Sequence, residues 1–240
     1  MRIHLQTTDS TNSHLHRMIA EGAELPNFAV VYATEQTSGR GQKGNSWESE
    51  PGKNILFSLL CRPTEMPAIE QFILSQTIAL AIANTLSKYT DGITIKWPND
   101  IYWRNKKISG TLIECDLQGK FIRNCIIGSG ININQTEFNS DAPNPVSLRM
   151  ITSLSYDTLA IMNEVTEEFQ RIHNTLSNED IRALYMQQLY RNDGNLHPYE
   201  DANGAFQARI VDIAPTGHLL LETHDGKMRR YEFKEVKAVL

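Results

Sequence analysis

The clearest strand pattern in this chain is ITIKWPNDIYWRNKKISGTLIECDLQGKFIRNCIIGSGININ, residues 93–134. Its β-branched and apolar residues fall into short runs that turn-forming residues separate. The predicted strands lie near 93–97, 100–104, 106–116 and 120–133, and the turns at Pro98-Asn99, Asn105 and Gln118-Gly119. Consecutive strands joined by such short turns pair antiparallel, so the segment predicts a β-meander at the centre of the chain.

Helices and further strands are predicted on both sides of this meander. Helical spacing of apolar residues predicts one helix over 10–21, a long one from Pro67 to Asp91, one over 159–176, and a shorter one that Ser177 caps. Two more strands are predicted at 28–33 and 54–60. Helices clustered around an antiparallel sheet indicate an α+β fold, with a mixed, largely antiparallel sheet over residues 1–192, rather than a doubly wound one.

The remainder, residues 193–240, has a different pattern. Short alternating strands are predicted at 206–213, 218–223 and 227–233, with tight turns at Pro215-Thr216-Gly217 and His224-Asp225-Gly226. This pattern is typical of a small β-barrel-like module, so a second domain is expected there.

Composition narrows the class of protein. The chain has 240 residues, a net charge of −5 and 40% hydrophobic residues, which are ordinary globular values. No apolar run approaches the roughly 20 residues of a membrane helix, and the N-terminus lacks a signal-peptide pattern. The three cysteines show no CxxC spacing, which favours free thiols in a reducing compartment. A soluble cytoplasmic protein is therefore expected, and the acidity disfavours a nonspecific nucleic-acid partner.

GRGQKGNSW, residues 39–47, is the first block with chemical character. It contains a literal GxGxxG, but the residues that follow form no helix pattern, so a dinucleotide-binding turn is excluded. A flexible loop remains, which carries Arg40 and Lys43 and whose glycines let backbone N–H groups approach an anion. Taken alone, this loop is equally compatible with a solvated surface loop.

KWPNDIYWRNKKISG, residues 96–110, is the second block. A lysine, an amide and a carboxylate meet at its first turn, which is unusual for a purely structural turn. Simple strand alternation predicts that Lys107 and Ser109 share one face and that Ile108 and Gly110 share the other. A solvated Lys107 is the plainer alternative, whereas Gly110 inside a strand indicates a bulge or the close approach of a ligand.

Together, GRGQKGNSWES, KWPNDI with KKISGTLIE, and GSGININ resemble the signature blocks of the biotin–protein ligases (biotin–[acetyl-CoA-carboxylase] ligases). Ser10-Thr11-Asn12 and Gln36 fit the same family. The resemblance implies a class II synthetase-like catalytic domain of the biotin/lipoate ligase type and an SH3-like C-terminal domain. It also implies ATP and biotin as substrates, Mg²⁺ as cofactor, and biotinyl-5′-AMP as an intermediate, from which biotin passes to a lysine of an acceptor domain.

The resemblance also implies roles for individual residues. Lys107 and Arg40 would be catalytic. The residues implied to bind biotin are Ser10, Thr11, Asn12, Gln36, Arg40, Gly41, Gln42, Lys107, Gly110 and Leu112. Those implied to bind ATP are Arg40, Lys43, Trp47, Lys96, Asn99, Asp100, Lys107 and Asn132, with Asp100 also the candidate Mg²⁺ ligand and Trp47 packed behind the glycine loop. Capping of the first helix remains the alternative for Ser10-Thr11-Asn12.

Some features separate this chain from the family pattern. The family usually has GRGRxGR, and here Gln42 and Asn45 stand where arginines are usual. Ser10 follows Met1 so closely that no N-terminal DNA-binding domain and no DNA partner are expected. The expected partner is the biotin acceptor domain of a carboxylase, and the chain could be a monomer or a homodimer. A lipoate ligase or octanoyltransferase, a non-catalytic biotin-binding module and an RNA-binding protein are the alternatives.

Overall fold

The computed structural model describes residues 1–140 and 144–239, including the backbone but not the side chain of Lys43. Within them, a seven-stranded sheet has the order β1-β2-β3-β7-β6-β5-β4. Only its edge pair β1–β2 is parallel; the other pairs are antiparallel. Its strands are β1 Arg2–Thr8, β2 Val30–Gln36, β3 Ile55–Cys61, β4 Ile93–Lys96, β5 Asp100–Trp103, β6 Lys106–Gln118 and β7 Phe121–Ile131. The predicted meander is therefore confirmed as β4 to β7.

One detail of the meander was predicted wrongly. The pairing register between β5 and β6 shifts at this point. Ser109 pairs with Ile101, but the next residue of β5, Tyr102, pairs with Lys107, so Ile108 is an extra residue on β6. This β-bulge cancels the simple alternation. As a result Lys107 lies on the same face as Gly110, and its Nζ would be 3.1 Å from a Cβ built on that glycine.

Helices cover both faces of the sheet. On one face, α2 Phe72–Leu86 is buried almost all round and packs against α4 Thr158–Thr175 and α5 Asn178–Gln187. On the other face, α1 Thr11–Ala20 packs on β2, β3 and β7 through Leu15. Alternate strand residues supply the two cores, as Leu59 and Leu60 illustrate. No helix in the described ranges is both long and apolar enough to span a membrane.

The helix ends follow capping chemistry. Ser177 accepts a hydrogen bond from the Asp180 backbone N–H, which confirms it as the N-cap of α5. Pro67 opens a short 3₁₀ turn, Ala68–Glu70, before α2 begins. Two elements of this part were not predicted: β1, a largely exposed edge strand of mixed polarity, and α3 Leu148–Thr152, a helix too short to show periodicity.

The C-terminal residues form a second, five-stranded antiparallel sheet of order β11-β10-β9-β8-β12. Its strands are β8 His197–Asp201, β9 Gly204–Ile213, β10 Leu219–Thr223, β11 Met228–Tyr231 and β12 Val236–Ala238. In the described part of the chain, no ladder joins the edge strands β11 and β12 into a closed barrel, and near them only the isolated bridge Phe233–Val236 occurs. The expected barrel is therefore observed as an open sheet, and the boundary at 192/193 remains a prediction.

This second sheet is held against the first turn of the meander. Trp97 donates its Nε1–H to the Gly217 carbonyl oxygen at 2.9 Å, and its ring meets Phe233 edge-on at 6.2 Å between centroids. Gly217 has φ +88° and sits so close to Phe72 that a Cβ would lie 2.7 Å from the ring. The turn that carries the KWPND block is thus the contact between the two sheets.

Candidate active site

A cleft of about 730 Å³ opens where the glycine loop, the start of α1 and the face of β6 and β7 meet. It brings together every residue that the resemblance implied, apart from Lys43, whose side chain is outside the description. Those that line it are Ser10, Thr11, Asn12, Gln36, Arg40, Gly41, Gln42, Trp47, Lys96, Asn99, Asp100, Lys107, Gly110, Leu112 and Asn132. Residues distant in sequence therefore share one site, and their individual roles remain predictions.

Glycines form the floor of the cleft. Gly128 lies directly under the Asn12 amide, where a Cβ would be 2.1 Å from Oδ1. Gly130 lies under the Trp47 indole, where a Cβ would be 2.3 Å from Cε2. The glycines of GSGININ thus make room for two protein side chains. The indole lies over β6 and β7 inside the cleft, and its packing behind the loop stays a prediction.

Residues 39–47, which we call the flap, fold as a narrow loop. The Gly41 backbone N–H donates to the Asn45 carbonyl at 2.7 Å, and the Trp47 N–H to the Gly39 carbonyl at 2.9 Å. A 3₁₀ turn, Gln42–Gly44, forms the tip, and Gly44 has φ +86°, a conformation that favours glycine. No helix follows, which confirms that the GxGxxG match is not a dinucleotide-binding turn.

The start of α1 supplies a buried polar cluster at one end of the cleft. Gln36 Oε1 accepts from both the backbone N–H and the hydroxyl of Thr11, at 2.7 and 3.1 Å. Ser10 occupies the N-cap position, but its side chain makes no capping bond. Ser58, on β3, donates to Asn12 Oδ1 at 2.5 Å. Capping therefore does not account for Ser10, which lines the cleft.

The Arg40 side chain has a partner that the sequence reasoning missed. Its guanidinium donates to both carboxylate oxygens of Glu114, Nη1 to Oε1 at 3.1 Å and Nη2 to Oε2 at 2.8 Å. Asn12 Nδ2 donates to the same carboxylate at 2.8 Å. Glu114 could have been found from the sequence, because it follows Gly110 and Leu112 at strand spacing on the cleft face of β6.

Cations and a carboxylate occupy the other end. Lys107 Nζ lies 2.7 Å from Asp100 Oδ1, so this carboxylate pairs with Lys107. Lys96 Nζ lies 3.2 Å from the Tyr102 hydroxyl, and burial lowers the pKa of Lys96 below its ordinary value. Two ammonium groups and one carboxylate leave a net positive charge in this part of the cleft, which suits a phosphate-bearing ligand.

Two buried asparagines lie at the same end. Asn99 donates from Nδ2 to the Thr111 carbonyl, and Asn132 donates from Nδ2 to the Val146 carbonyl at 3.2 Å. Asn132 Oδ1 is buried and has no hydrogen-bond partner among the described residues. A buried acceptor without a donor is costly, so this atom is suited to a donor on a bound molecule, such as an exocyclic amine.

A second loop meets the flap at the entrance. Glu48, directly after the flap, accepts from the backbone N–H groups of Asn139 and Ser140, each at 2.8 Å. Burial pushes the pKa of Glu48 upward, but these hydrogen bonds outweigh it and the pKa falls below its ordinary value. This contact could not be predicted from residue patterns, because it joins two irregular loops.

The cleft offers little to a metal on its own. Among the described residues, no cluster of three His, Cys, Asp or Glu side chains could hold an ion. Asp100 has one oxygen on Lys107. Mg²⁺ is usually held by one or two carboxylates together with substrate phosphates, so the remaining Asp100 oxygen fits an ion that arrives with a nucleotide.

Comparison with known proteins places this geometry in a family. The profile of the Biotin/lipoate A/B protein ligase family matches residues 5–132. The bifunctional ligase/repressor BirA of Bacillus subtilis is 29% identical over 238 residues, which cover 95% of this chain and 71% of that protein. A biotin–[acetyl-CoA-carboxylase] ligase of Paracoccus denitrificans is 30% identical over 174 residues, 70% of each chain.

A solved structure agrees with the fold. The biotin protein ligase from Aquifex aeolicus, in complex with biotin and ATP, superposes with a TM-score of 0.78 at 24% identity, and the match covers 99% of each chain. At this identity the likeness supports the fold, while the profile match over more than half of the chain supports the family. The chain belongs to the Biotin/lipoate A/B protein ligase family.

Proposed function

We propose that this protein is a biotin–protein ligase. It joins biotin to ATP to give biotinyl-5′-AMP and pyrophosphate, and then transfers biotin to the ε-amine of a lysine on an acceptor domain of a carboxylase. As for the alternatives, no contact among the described residues of the cleft specifically favours a linear acyl substrate or a non-catalytic role.

One observation carries this proposal. Arg40 and Lys107, from blocks that are distant in sequence, line a single cleft that has a neutral polar end and a cationic end. The polar end, with Ser10, Thr11 and Asn12, suits a urea-like ring, which needs hydrogen-bond partners once it is buried. The cationic end suits phosphates. An acyl-adenylate has both parts.

The first half-reaction needs alignment and charge neutralisation more than it needs a protein nucleophile. The biotin carboxylate attacks the α-phosphorus, a new C–O–P bond forms, and the bond to pyrophosphate breaks with its electron pair leaving on pyrophosphate. Lys107 would neutralise the negative charge that builds up on the α-phosphoryl oxygens. Asp100 holds the ammonium in place before the phosphates arrive.

The second half-reaction breaks the bond that the first one made. The acceptor lysine amine attacks the acyl carbon, an amide forms, and AMP leaves with the electron pair of the mixed anhydride. The chain's contribution is to hold the adenylate and keep out water until the acceptor arrives. The flap, with Trp47 over the sheet, is positioned to do so.

Mg²⁺ belongs to this proposal as an ion bound with the nucleotide. Asp100 is the residue that would hold it, together with the phosphates of ATP. When bound, it would supply further neutralisation of phosphate charge.

The direct test is transfer of labelled biotin. The protein is incubated with ATP, radiolabelled biotin and a purified acceptor domain, with lipoate and octanoate in parallel reactions. We expect ATP-dependent labelling of the acceptor by biotin and none by lipoate or octanoate. Labelling by lipoate or octanoate alone would reassign the substrate, and biotin binding without transfer would point to a non-catalytic module.

A further inference from the structure

Glu114 lies where the flap meets the polar end of the cleft. Its carboxylate accepts two N–H groups from Arg40, one from Asn12, and has His16 Nε2 at 3.6 Å. Its side chain is 27% exposed, so the pair with Arg40 is partly shielded from water. An arginine fork that meets a carboxylate with two parallel bonds is a strong and directional contact.

The same carboxylate determines how Asn12 is oriented. An ionised carboxylate only accepts hydrogen bonds, so Asn12 must turn its NH₂ toward Glu114. Asn12 Oδ1 then faces Ser58, which donates to it at 2.5 Å. One side chain therefore fixes both the base of the flap and the amide at the polar end.

We propose that Glu114 is a positioning residue that holds the flap over the cleft through Arg40 and fixes the Asn12 amide for the bound vitamin. This inference deepens the proposed function, because it assigns to Glu114 the retention of the acyl-adenylate. Glu114 acts through Arg40 and Asn12, whereas Lys107 acts on the reacting phosphate. Its loss should therefore weaken binding and retention more than the chemical step.

The first test is a double-mutant cycle with Glu114→Gln, Arg40→Met and the combination. The readouts are the half-life of the bound adenylate without acceptor, and the KM for biotin and kcat of ATP–pyrophosphate exchange. Glu114→Gln should shorten the half-life roughly fivefold and raise KM similarly, a size expected for a partly exposed ion pair, with little change in kcat. The half-life of the adenylate on the double variant should be no shorter than that on the single variant with the shorter half-life.

Glu222→Gln is the matched control. Glu222 accepts two N–H groups from Arg209, with side-chain exposures of 28% and 48% against 27% and 42% for Glu114 and Arg40, but it lies on the second sheet. Glu222→Gln should leave the half-life of the bound adenylate unchanged. Additive losses in the cycle, or an unchanged half-life in Glu114→Gln, would overturn the assignment, as would a fall in kcat without a change in KM.

A second test does not depend on the proposed function. Trypsin cleaves after arginine and lysine, and cleavage within a folded loop requires the loop to open locally, so the cleavage rate in the flap, at Arg40 or Lys43, can report its opening with no ligand added. Glu114→Gln should be cleaved in the flap several-fold faster than the unaltered protein and Glu222→Gln, and Glu114→Asp, which keeps the carboxylate, should fall between. Equal cleavage rates would refute the flap contact. Absence of any adenylate in the unaltered protein would instead refute the proposed function.

Discussion

At the scale of single residues, two cations of the cleft, Lys107 and Arg40, are paired with carboxylates before any substrate arrives. The Lys107 ammonium lies 2.7 Å from Asp100, and the Arg40 guanidinium lies on Glu114. A paired cation is held in one position, so less conformational entropy is lost when it meets a phosphate or closes over a ligand. The residues that perform the chemistry are thus positioned by carboxylates.

Lys107→Ala should abolish adenylate formation while the fold is retained. The variant removes the ammonium that neutralises the α-phosphoryl group, so exchange of pyrophosphate into ATP should fall by about a hundredfold or more. Circular dichroism and thermal unfolding check the fold. Lys106→Ala is the control, because Lys106 is the adjacent, exposed lysine. Full exchange activity in Lys107→Ala would remove Lys107 from the mechanism.

Gln42→Arg should lengthen retention of the adenylate. Gln42 is neutral and contacts the Thr111 carbonyl through Nε2 at 3.4 Å, whereas an arginine there could bind phosphate with two charge-assisted bonds. An increase in half-life of about tenfold is expected for one such contact. Gln42→Met adds no charge and should give no increase. No longer retention in Gln42→Arg would show that this flap position does not reach the phosphate.

At the scale of secondary structure, much of the architecture could be predicted from the sequence. The strands of the meander, the main helices and the Ser177 cap follow from periodicity and turn chemistry. The bulge at Ile108 could not be predicted, because it depends on the pairing of two specific strands. Simple alternation, which ignores the bulge, assigns Lys107 to the wrong face of β6. The presence of Lys107 at the site was nevertheless expected from the motif.

The candidate site could likewise be predicted from the sequence only in part. Residue types such as Asn12, Lys107 and Arg40 stand in recognisable motifs, and they do meet at one cleft. Ser58 lies outside those motifs, and Glu114 and Glu48 lie within them without an assigned role. Their contacts become visible only when strands and loops are placed in space. The sequence therefore predicts the composition of the cleft better than its hydrogen bonds.

Gly130→Ala should disturb the flap through Trp47. A Cβ at this strand position would lie 2.3 Å from the indole, so the ring must move. Overpacking of this kind costs about 1–3 kcal/mol, which denaturant unfolding can measure. In a Trp47→Leu background, Gly130→Ala should cause much less loss of unfolding free energy, because the smaller side chain leaves room for the Cβ. An equal loss in both backgrounds would mean that the Trp47 contact is not the cause.

At the scale of the whole molecule, the two sheets meet at the turn that carries part of the site. Trp97 joins this turn to Gly217, and Phe233 of the C-terminal region lines the cleft. The C-terminal sheet is therefore structurally linked to the cationic end of the cleft. On the opposite side of the central sheet, α4 packs through an aromatic cluster that contains a histidine.

Stability should fall as the pH falls from 7 to 5, in part through His173. This ring stacks on Phe169 and meets Phe28 edge-on, and burial lowers its pKa below 6.5 in the folded protein. As the pH falls, the unfolded chain therefore takes up the proton before the folded protein does. The contribution of His173 to the free energy of unfolding is present above pH 6.5 and is lost as the pH falls toward the folded pKa. The loss is at most about 1.4 kcal/mol per pH unit. Urea unfolding at several pH values measures it.

His173→Gln should reduce this acid-induced loss, because the side chain no longer titrates. His224→Gln, the same substitution at an exposed turn, is the control. If the slope of stability against pH is the same in His173→Gln as in the unaltered protein, the buried imidazole does not contribute to it.

If one cleft joins a vitamin carboxylate to a nucleotide, the product can be trapped on the protein. The protein is mixed with ATP and biotin without acceptor, quenched, and the bound fraction identified by mass spectrometry. We expect about one biotinyl-5′-AMP per chain, with none from Lys107→Ala. Unchanged biotin and ATP after prolonged incubation of folded protein would contradict it.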